Sequence, residues 1–388
     1  MASIKLKGDT SGEVTISAPS VAGTTTLELP ATSSTLATQN SLGVRNLIIN
    51  GDMRINQRGD TTGANGSGYF GVDRWNTEEV GLGTYDVEQD TDVPSGQGFA
   101  NSLKISLATT ETVASGDFLR FAQRIEGQNL QHLKFGTSSA ESITLSFWIK
   151  SNLTGTYALS FQSIDGVSTN RLIGTTYTID SADTWEKKTL TFVGDTAQVI
   201  RNDNGLGLRM FWWLVAGSNY KGTNNTSWIA QVTDAFATGH NVDFNSSTSN
   251  YINITGVQLE AGTEATPFEN RPYDMELQRC QRYFEVREVF AGSYITPSFA
   301  VNATQTSGMI FYHTKKRAIP SLSYTGAVGG FSIQKNASVY VATVVQFGNL
   351  GVDSSAINIY IGTSSMTASD AVRCRGNGTR EIHISAEL

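Results

Sequence analysis

The side chains best suited to chemistry in this chain are aromatics and amides rather than acids, bases or thiols. Trp212-Trp213 lies in an apolar run, and the polar stretch behind it carries Tyr220, Asn224, Asn225 and Trp228. Sugars present apolar C–H faces and a ring of hydroxyls, which aromatic platforms and amides meet without net charge. Neighbouring residues of a strand point to opposite faces. One tryptophan therefore belongs to the core, and the other faces outward and needs a cover. Either a glycan or a packed surface such as a neighbouring subunit can supply it, and Trp228 can equally be core. These six residues form the candidate glycan site.

Catalytic chemistry finds less to work with. The four histidines, His132, His240, His313 and His383, are scattered and stand in no G-x-S-x-G or H-E-x-x-H context. Glu78, Glu79, Asp90 and Asp92 are nominal members of a glycosidase pair, but adjacency in sequence gives no reason to prefer them. No short repeat of a parallel β-helix is present. No catalytic residue is assigned, and the chain is read as non-enzymatic. The two cysteines, Cys280 and Cys374, make neither a disulfide framework nor a zinc site. Asn202-Asp203-Asn204 lacks an EF-hand pattern and reads as a turn, so neither cofactor nor metal is assigned, with a structural calcium left open.

Composition frames these candidates. Charged residues make up 16% of the 388, against about 25% in ordinary soluble domains. Ser, Thr, Asn and 38 glycines fill the deficit, a mixture suited to strands and turns. A net charge of −7 argues against a nucleic-acid partner, because phosphate binding needs clustered Lys and Arg. The one basic run, Lys315-Lys316-Arg317, reads as a solvated turn. No apolar run is long enough for membrane insertion and no signal peptide is recognisable, so synthesis in a cytoplasm is expected.

The elements that must position the candidates are almost all strands. Residues 1–44 hold short strands and a linker; so short a segment cannot bury its own apolar face and should pair with copies of itself or dock on a larger body. Residues 45–270 carry alternating runs at 103–107, 118–125, 143–149, 185–193, 206–215 and 251–259, with 157–161 expected to pair with 143–149 as a hairpin. Residues 271–286 contain the one convincing helix, with Pro272 in its first turn, Asp274 and Glu276 at its positive end, and a stripe of Leu277, Cys280 and Phe284 with Tyr283 and Met275 beside it. Cys280 is read as a core thiol. Residues 287–388 return to short β runs. The expected architecture is all-β: a short N-terminal attachment segment, a jelly-roll β-sandwich body, one connector helix and a smaller C-terminal β-sandwich domain.

Several stretches carry a resemblance. Residues 257–284, VQLEAGTEATPFENRPYDMELQRCQRYF, resemble the C-terminal signature of many tailed-phage tail-fibre and virion-appendage proteins. NLIINGDMRINQRG at 46–59, followed by VDRW at 72–75, resembles the opening of the same module. GDTSGEVTISAPSVAGTTTLELPATSSTLAT at 8–38 resembles a leader of phage structural proteins, and HTKKRAIPSLSYTG from His313 a strand of the fibre family. SFWIKSNLTGTYALSF with the later TWEKKTLTF is similar to jelly-roll carbohydrate-binding modules. The resemblance implies a virion appendage, most simply a homotrimeric tail fibre, that attaches to phage tail or capsid proteins through residues 1–44 and recognises a host cell-surface glycan. A glycan-degrading tail-spike hydrolase and a capsid-attached decoration fibre are the alternatives.

Overall fold

The computed structural model describes residues 3–7, 11, 13–17, 45–164, 170–223 and 225–388. The chain forms two compact units, Met1–Gly43 and Val44–Leu388. In the first, Ser3–Lys7 and Glu13–Ser17 pair as an antiparallel hairpin with Ile4 opposite Ile16. The linker expected at 31–42 lies outside the described residues.

The second unit begins as two antiparallel sheets packed face to face, a jelly-roll sandwich in which apolar alternation sets which face of each strand turns inward. One sheet has seven strands in the spatial order Ile229–Ala230, Arg171–Ile179, Gly155–Ser163, Leu206–Ala216, Phe118–Glu126, Asn76–Val80 and Gly68–Tyr69. The other has six, in the order Glu186–Phe192, Ile143–Ser151, Tyr251–Ala261, Ser102–Leu107, Tyr85–Asp90 and Thr61–Ala64. Phe121, Phe147, Phe161, Tyr157, Trp75 and Trp212 fill the space between them. The hairpin expected between 143–149 and 157–161 does not form. Ile143–Ser151 pairs with Glu186–Phe192 and Tyr251–Ala261, whereas Gly155–Ser163 pairs with Arg171–Ile179 and Leu206–Ala216. By crossing between the layers at 152–154, the chain lets both strands turn Phe147, Tyr157 and Phe161 into the same core.

The helix Tyr273–Gln281 follows Pro272, which sits just before its first turn. Cys280 is a free thiol with no exposure. The expected stripe is only partly right: Leu277 is half-buried, Met275 is exposed, and the inward position falls to Glu276. Its carboxylate earns burial by accepting the Asn50 N–H and pairing with Arg271.

Arg271 is the hub of this region. Its guanidinium donates to the carbonyls of Ile48 (2.9 Å) and Asn46, to Glu269 (3.1 Å) and to Glu276 (3.2 Å). Glu269 also accepts the Asn46 N–H at 2.8 Å. Asn46 reaches back to the strand at 257–259, donating to Val257 O (3.0 Å) and accepting from Leu259 N (3.0 Å). Gly51 lies so close to that strand that a Cβ would stand 2.2 Å from Val257 O, so no larger residue fits without a shift. Trp75 donates its indole N–H to Asn50 O at 3.1 Å. Arg74 lies 3.4 Å from the centre of the Tyr283 ring and pairs with Glu387. Residues 46–59, 72–75 and 257–284 are thus one interlocked structure.

Beyond the helix, Phe284–Val289, Arg380–Ser385 and Ser321–Tyr324 make a three-stranded sheet. The remaining strands close into a six-stranded barrel, in the order Tyr294–Ala300, Gln305–Phe311, Ser354–Ile361, Ser338–Gly348, Phe331–Lys335 and Ala371–Gly376. The smaller β domain expected here therefore pairs a closed barrel with an adjoining sheet. Lys316, expected in a solvated turn, is buried; its ammonium meets the equally buried Glu285 at 2.6 Å. The length of its stem lets one residue of a basic run turn inward while Lys315 stays outside.

Truncating one partner of a buried, hydrogen-bonded ion pair leaves the others uncompensated. Arg271→Ala is expected to lower unfolding free energy by about 3–5 kcal/mol, read from the urea midpoint at unchanged m-value. A loss within the range of ordinary surface substitutions would contradict the role given to this guanidinium.

Candidate functional site

The outer face of the seven-stranded sheet carries both the residues expected from sequence and those that sequence reasoning missed. Trp212 and Trp213 do point to opposite faces. Trp212 stacks on Phe121 in the main core with ring centroids 5.2 Å apart. Trp213 faces outward beside Phe211, but the chain supplies its own cover: Tyr220 and Phe236 pack on its ring and Ser160 accepts its indole N–H at 3.0 Å. Both tryptophans are 0% exposed, so neither offers a ring to a ligand. Tyr220 donates to Gly116 O at 3.0 Å. Asn225 is buried, donating its amide to Ala235 O and accepting the Gly174 N–H at its own carbonyl. Trp228 is half-buried against Phe135 and donates to Val193 O at 2.7 Å. Asn224 lies outside the described residues. All five described residues are structural and not ligand contacts: Trp212 belongs to the main core, Trp228 packs against it, and Tyr220 and Asn225 belong to a lid that covers Trp213 on half of the sheet. An apolar outer face needs a cover, and the segment 217–246 is long enough to return over it.

His240 pins that lid. Its Nδ1 accepts the Ala158 N–H and its Nε2 donates to Leu214 O, each at 3.2 Å. Burial, with Lys221 nearby, pushes the imidazole down to about 4. The folded value lies below the unfolded one, so the neutral ring stabilises fully above about pH 6.5 and that contribution is lost as pH falls through 4. It amounts to about 3 kcal/mol. The stability difference between wild type and His240→Gln is expected to shrink by that amount from pH 7 to pH 4 in urea titrations. A constant difference would show that the ring does not titrate as a buried group.

The other half of the face stays polar. Arg120 and Arg124 stand either side of Ala122 on one strand, and Arg209 lies opposite Arg124 on the next. All three converge on Glu78. Arg120 donates to it twice, at 2.9 and 2.6 Å, Arg124 once at 2.8 Å, and Arg209 stands 3.6 Å away. Burial opposes the Glu78 charge, but Arg120, Arg209 and Arg124 together hold its carboxyl below the usual range. Burial also pushes Arg209 down to about 10, with Glu78 opposing and Arg120 and Arg124 adding to the effect. Phe211 lies under the guanidiniums of Arg120 (3.9 Å) and Arg209 (4.7 Å). Arg209 also donates to Gln162 Oε1 at 2.6 Å, and Gln162 donates on to Gln231. Arg124 donates to Leu388 O, which accepts from Tyr69 at 3.2 Å as well. Arg124 and Arg209 keep about a fifth of their side chains in solvent, 20% and 21%; the Arg124 Nε is buried without a partner, which leaves the terminal nitrogens as the groups a ligand would meet.

The sequence did hold a signal for this cluster. In FLRFAQRIE and LGLRMFWW an arginine recurs on the face opposite the core residues. An arginine within a strand that is otherwise buried must have a partner, but not which one. The nominal carboxylates are spread apart: Glu79 accepts the N–H groups of Gly66 and Leu82, and Asp92 pairs with Lys150 and Trp185 Nε1. Asp203 accepts the Gly205 N–H at 2.7 Å within the expected turn.

A second surface lies on the barrel. Tyr294, Phe299, Met309 and Phe311 project outward from two adjacent strands and are 54%, 55%, 40% and 65% exposed, more than isolated surface apolar residues would explain. Between them is a crevice of about 330 Å³ lined by Val289, Tyr294, Pro297, Met309 and Phe311 among others.

The fold is that of an antiparallel jelly-roll sandwich with a barrel appended. No protein-family model matches the chain, and no curated protein matches it. Solved structures give partial likenesses. An enzymatically active domain of tailspike protein 4 from bacteriophage CBA120 is 15% identical over 56% of this chain, with a TM-score of 0.29; the chain spans 21% of that one. A family 11 carbohydrate-binding module from Clostridium thermocellum, solved with a β-1,3-1,4-mixed-linked tetrasaccharide, is 12% identical, with 53% of this chain and 98% of the module covered and a TM-score of 0.25. A sugar-binding protein described from Bacteroides thetaiotaomicron is 13% identical over 56% of this chain and 100% of its own, with a TM-score of 0.29. Scores of this size carry no argument about function.

Proposed function

We propose that this chain is a structural appendage of a phage particle, a tail fibre or a capsid-attached decoration fibre, that holds the particle through residues 1–44 and takes part in recognising a host-surface glycan. The virion reading is supported by the sequence resemblance of residues 46–59, 72–75 and 257–284 to tail-fibre modules, together with their interlocking through Arg271 and Asn46. Segments that resemble one module in sequence are here also one module in space. The chain acts by adhesion and has no catalytic step: several identical weak sites on one particle raise avidity without tight single contacts.

The single observation that carries the glycan reading is the open half of the seven-stranded sheet. There Arg209, Gln162 and Gln231 form a hydrogen-bonded row with the Arg209 guanidinium over Phe211, and Arg124 is held beside it on Glu78. Donors held in place lose little entropy on binding hydroxyls. Arg209→Gln is expected to weaken glycan binding in calorimetry or array measurements by about tenfold, with thermal stability nearly unchanged because Arg120 and Arg124 still satisfy Glu78. Binding that survives this change would remove the face from consideration.

The barrel's aromatic strip fits a second copy of this chain, as a homo-oligomer, most simply a trimer. Its strands belong to a closed barrel, so contact comes through side chains. Two adjacent strands with apolar outer residues form a wedge that a rotational axis can bury. Sedimentation of the full chain is expected to give an oligomer, and Phe299→Glu combined with Phe311→Glu a folded monomer. A wild-type monomer at micromolar concentration would overturn this assembly.

A further inference from the structure

We infer that the glycan bound at the seven-stranded sheet is acidic, carrying a carboxylate that sits against Arg209 and Arg124; this rests on the reading of that face as the glycan site. The argument is a count of charges in a confined space. Three guanidiniums, those of Arg120, Arg124 and Arg209, share the single carboxylate of Glu78 as their ion-pair partner among the described residues. Glu78 alone cannot neutralise all three, and the further acceptor at Leu388 O is taken by Arg124 and Tyr69 and not by Arg209. The other acids nearby are spoken for: Glu387 pairs with Arg74 and Arg58, Glu126 with Arg282, and Asp195 with Arg171.

Excess charge at a half-buried site is costly, because water screens it poorly. A chain of net charge −7 has acids to spare, yet none is placed against Arg209 closer than the 3.6 Å contact with Glu78. Arg120 is spent on a close pair with Glu78 and stacks on Phe211. Arg124 divides its donors among Glu78, Asn76 and Leu388 O. Arg209 is the least committed: its Nε donates to Gln162, while its terminal nitrogens make only the 3.6 Å contact with Glu78. A planar fork with free donors matches a carboxylate in two-point geometry. Gln162 is buried between Arg209 and Gln231, so the half-buried Gln231 is the amide left to meet a sugar hydroxyl. Burial lowers the affinity of Arg209 for its proton, and Arg120 and Arg124 add to that effect. A bound anion would relieve it; a neutral sugar would leave it.

The test compares, on the full chain, a panel of uronate-containing polysaccharides with the same polysaccharides after carboxyl reduction, which keeps the linkages and removes the charge. Wild type is expected to bind at least one acidic member about ten- to a hundredfold more tightly than its reduced form, with affinity falling as salt rises. Arg209→Gln should bring the two to equal affinity. Glu78→Gln, where it folds, should tighten binding of the acidic form alone. Equal binding of acidic and reduced forms by wild type would overturn the charge assignment while leaving glycan binding at this face intact. An acidic preference that persists in Arg209→Gln would place the anion elsewhere and overturn the inference. Failure of wild type to bind any member of either series would overturn both the inference and the glycan reading beneath it.

Discussion

The Arg271 guanidinium is the constraint on which the rest of the second unit hangs. It is almost wholly buried, and it binds the carbonyls of Asn46 and Ile48, the carboxylate of Glu269 and that of Glu276. Those partners come from the entry to the sandwich, the turn after its last strand and the first turn of the helix. A buried charge tolerates no vacancy among its partners, so the sandwich is joined to the helix in one geometry. Through Arg74 on Tyr283, Arg58 on Phe284 and Gln57 to Phe284 O, the same geometry carries on into the strands that follow. The helix contributes little apolar area of its own. Its place is fixed by polar contacts made to it.

Much of this was legible in the sequence, and the limits have physical causes. Alternation located the long central strands of the sandwich, because a face packed on a core imposes period two whatever the fold, but it passed over Asn76–Val80, Tyr85–Asp90 and Arg171–Ile179. It did not show which strands pair: Ile143–Ser151 and Gly155–Ser163 look like a hairpin, with a three-residue gap, yet belong to different layers. Local pattern is silent on whether a chain turns back within a sheet or crosses to its partner. The helix was found by Pro272 and its charge order, but its buried side was misassigned because Glu276 is acidic. An acid turned inward is visible only once Arg271 and Asn50 are brought beside it.

The candidate site was misread for a related reason. Trp213 does face away from the main core, as strand alternation requires. What the sequence lacks is the return path of 217–246, which covers it with Tyr220 and Phe236. Aromatic residues attract attention in a sequence, whereas Arg120, Arg124 and Arg209 are separated by up to 89 positions and are marked only by lying within otherwise buried strands; their convergence on Glu78 is a property of register. Sheet pairing, not local motif, made the polar half of that face.

Closure of the barrel has a consequence for life in a crowd. Its six strands use one another's backbone groups all the way round, from Tyr294–Ala300 to Ala371–Gly376 and back. A ribbon with an open margin invites the next molecule to zip on along the main chain, indifferent to sequence. Here that route is shut. At the barrel, neighbouring molecules must meet by shape, residue against residue.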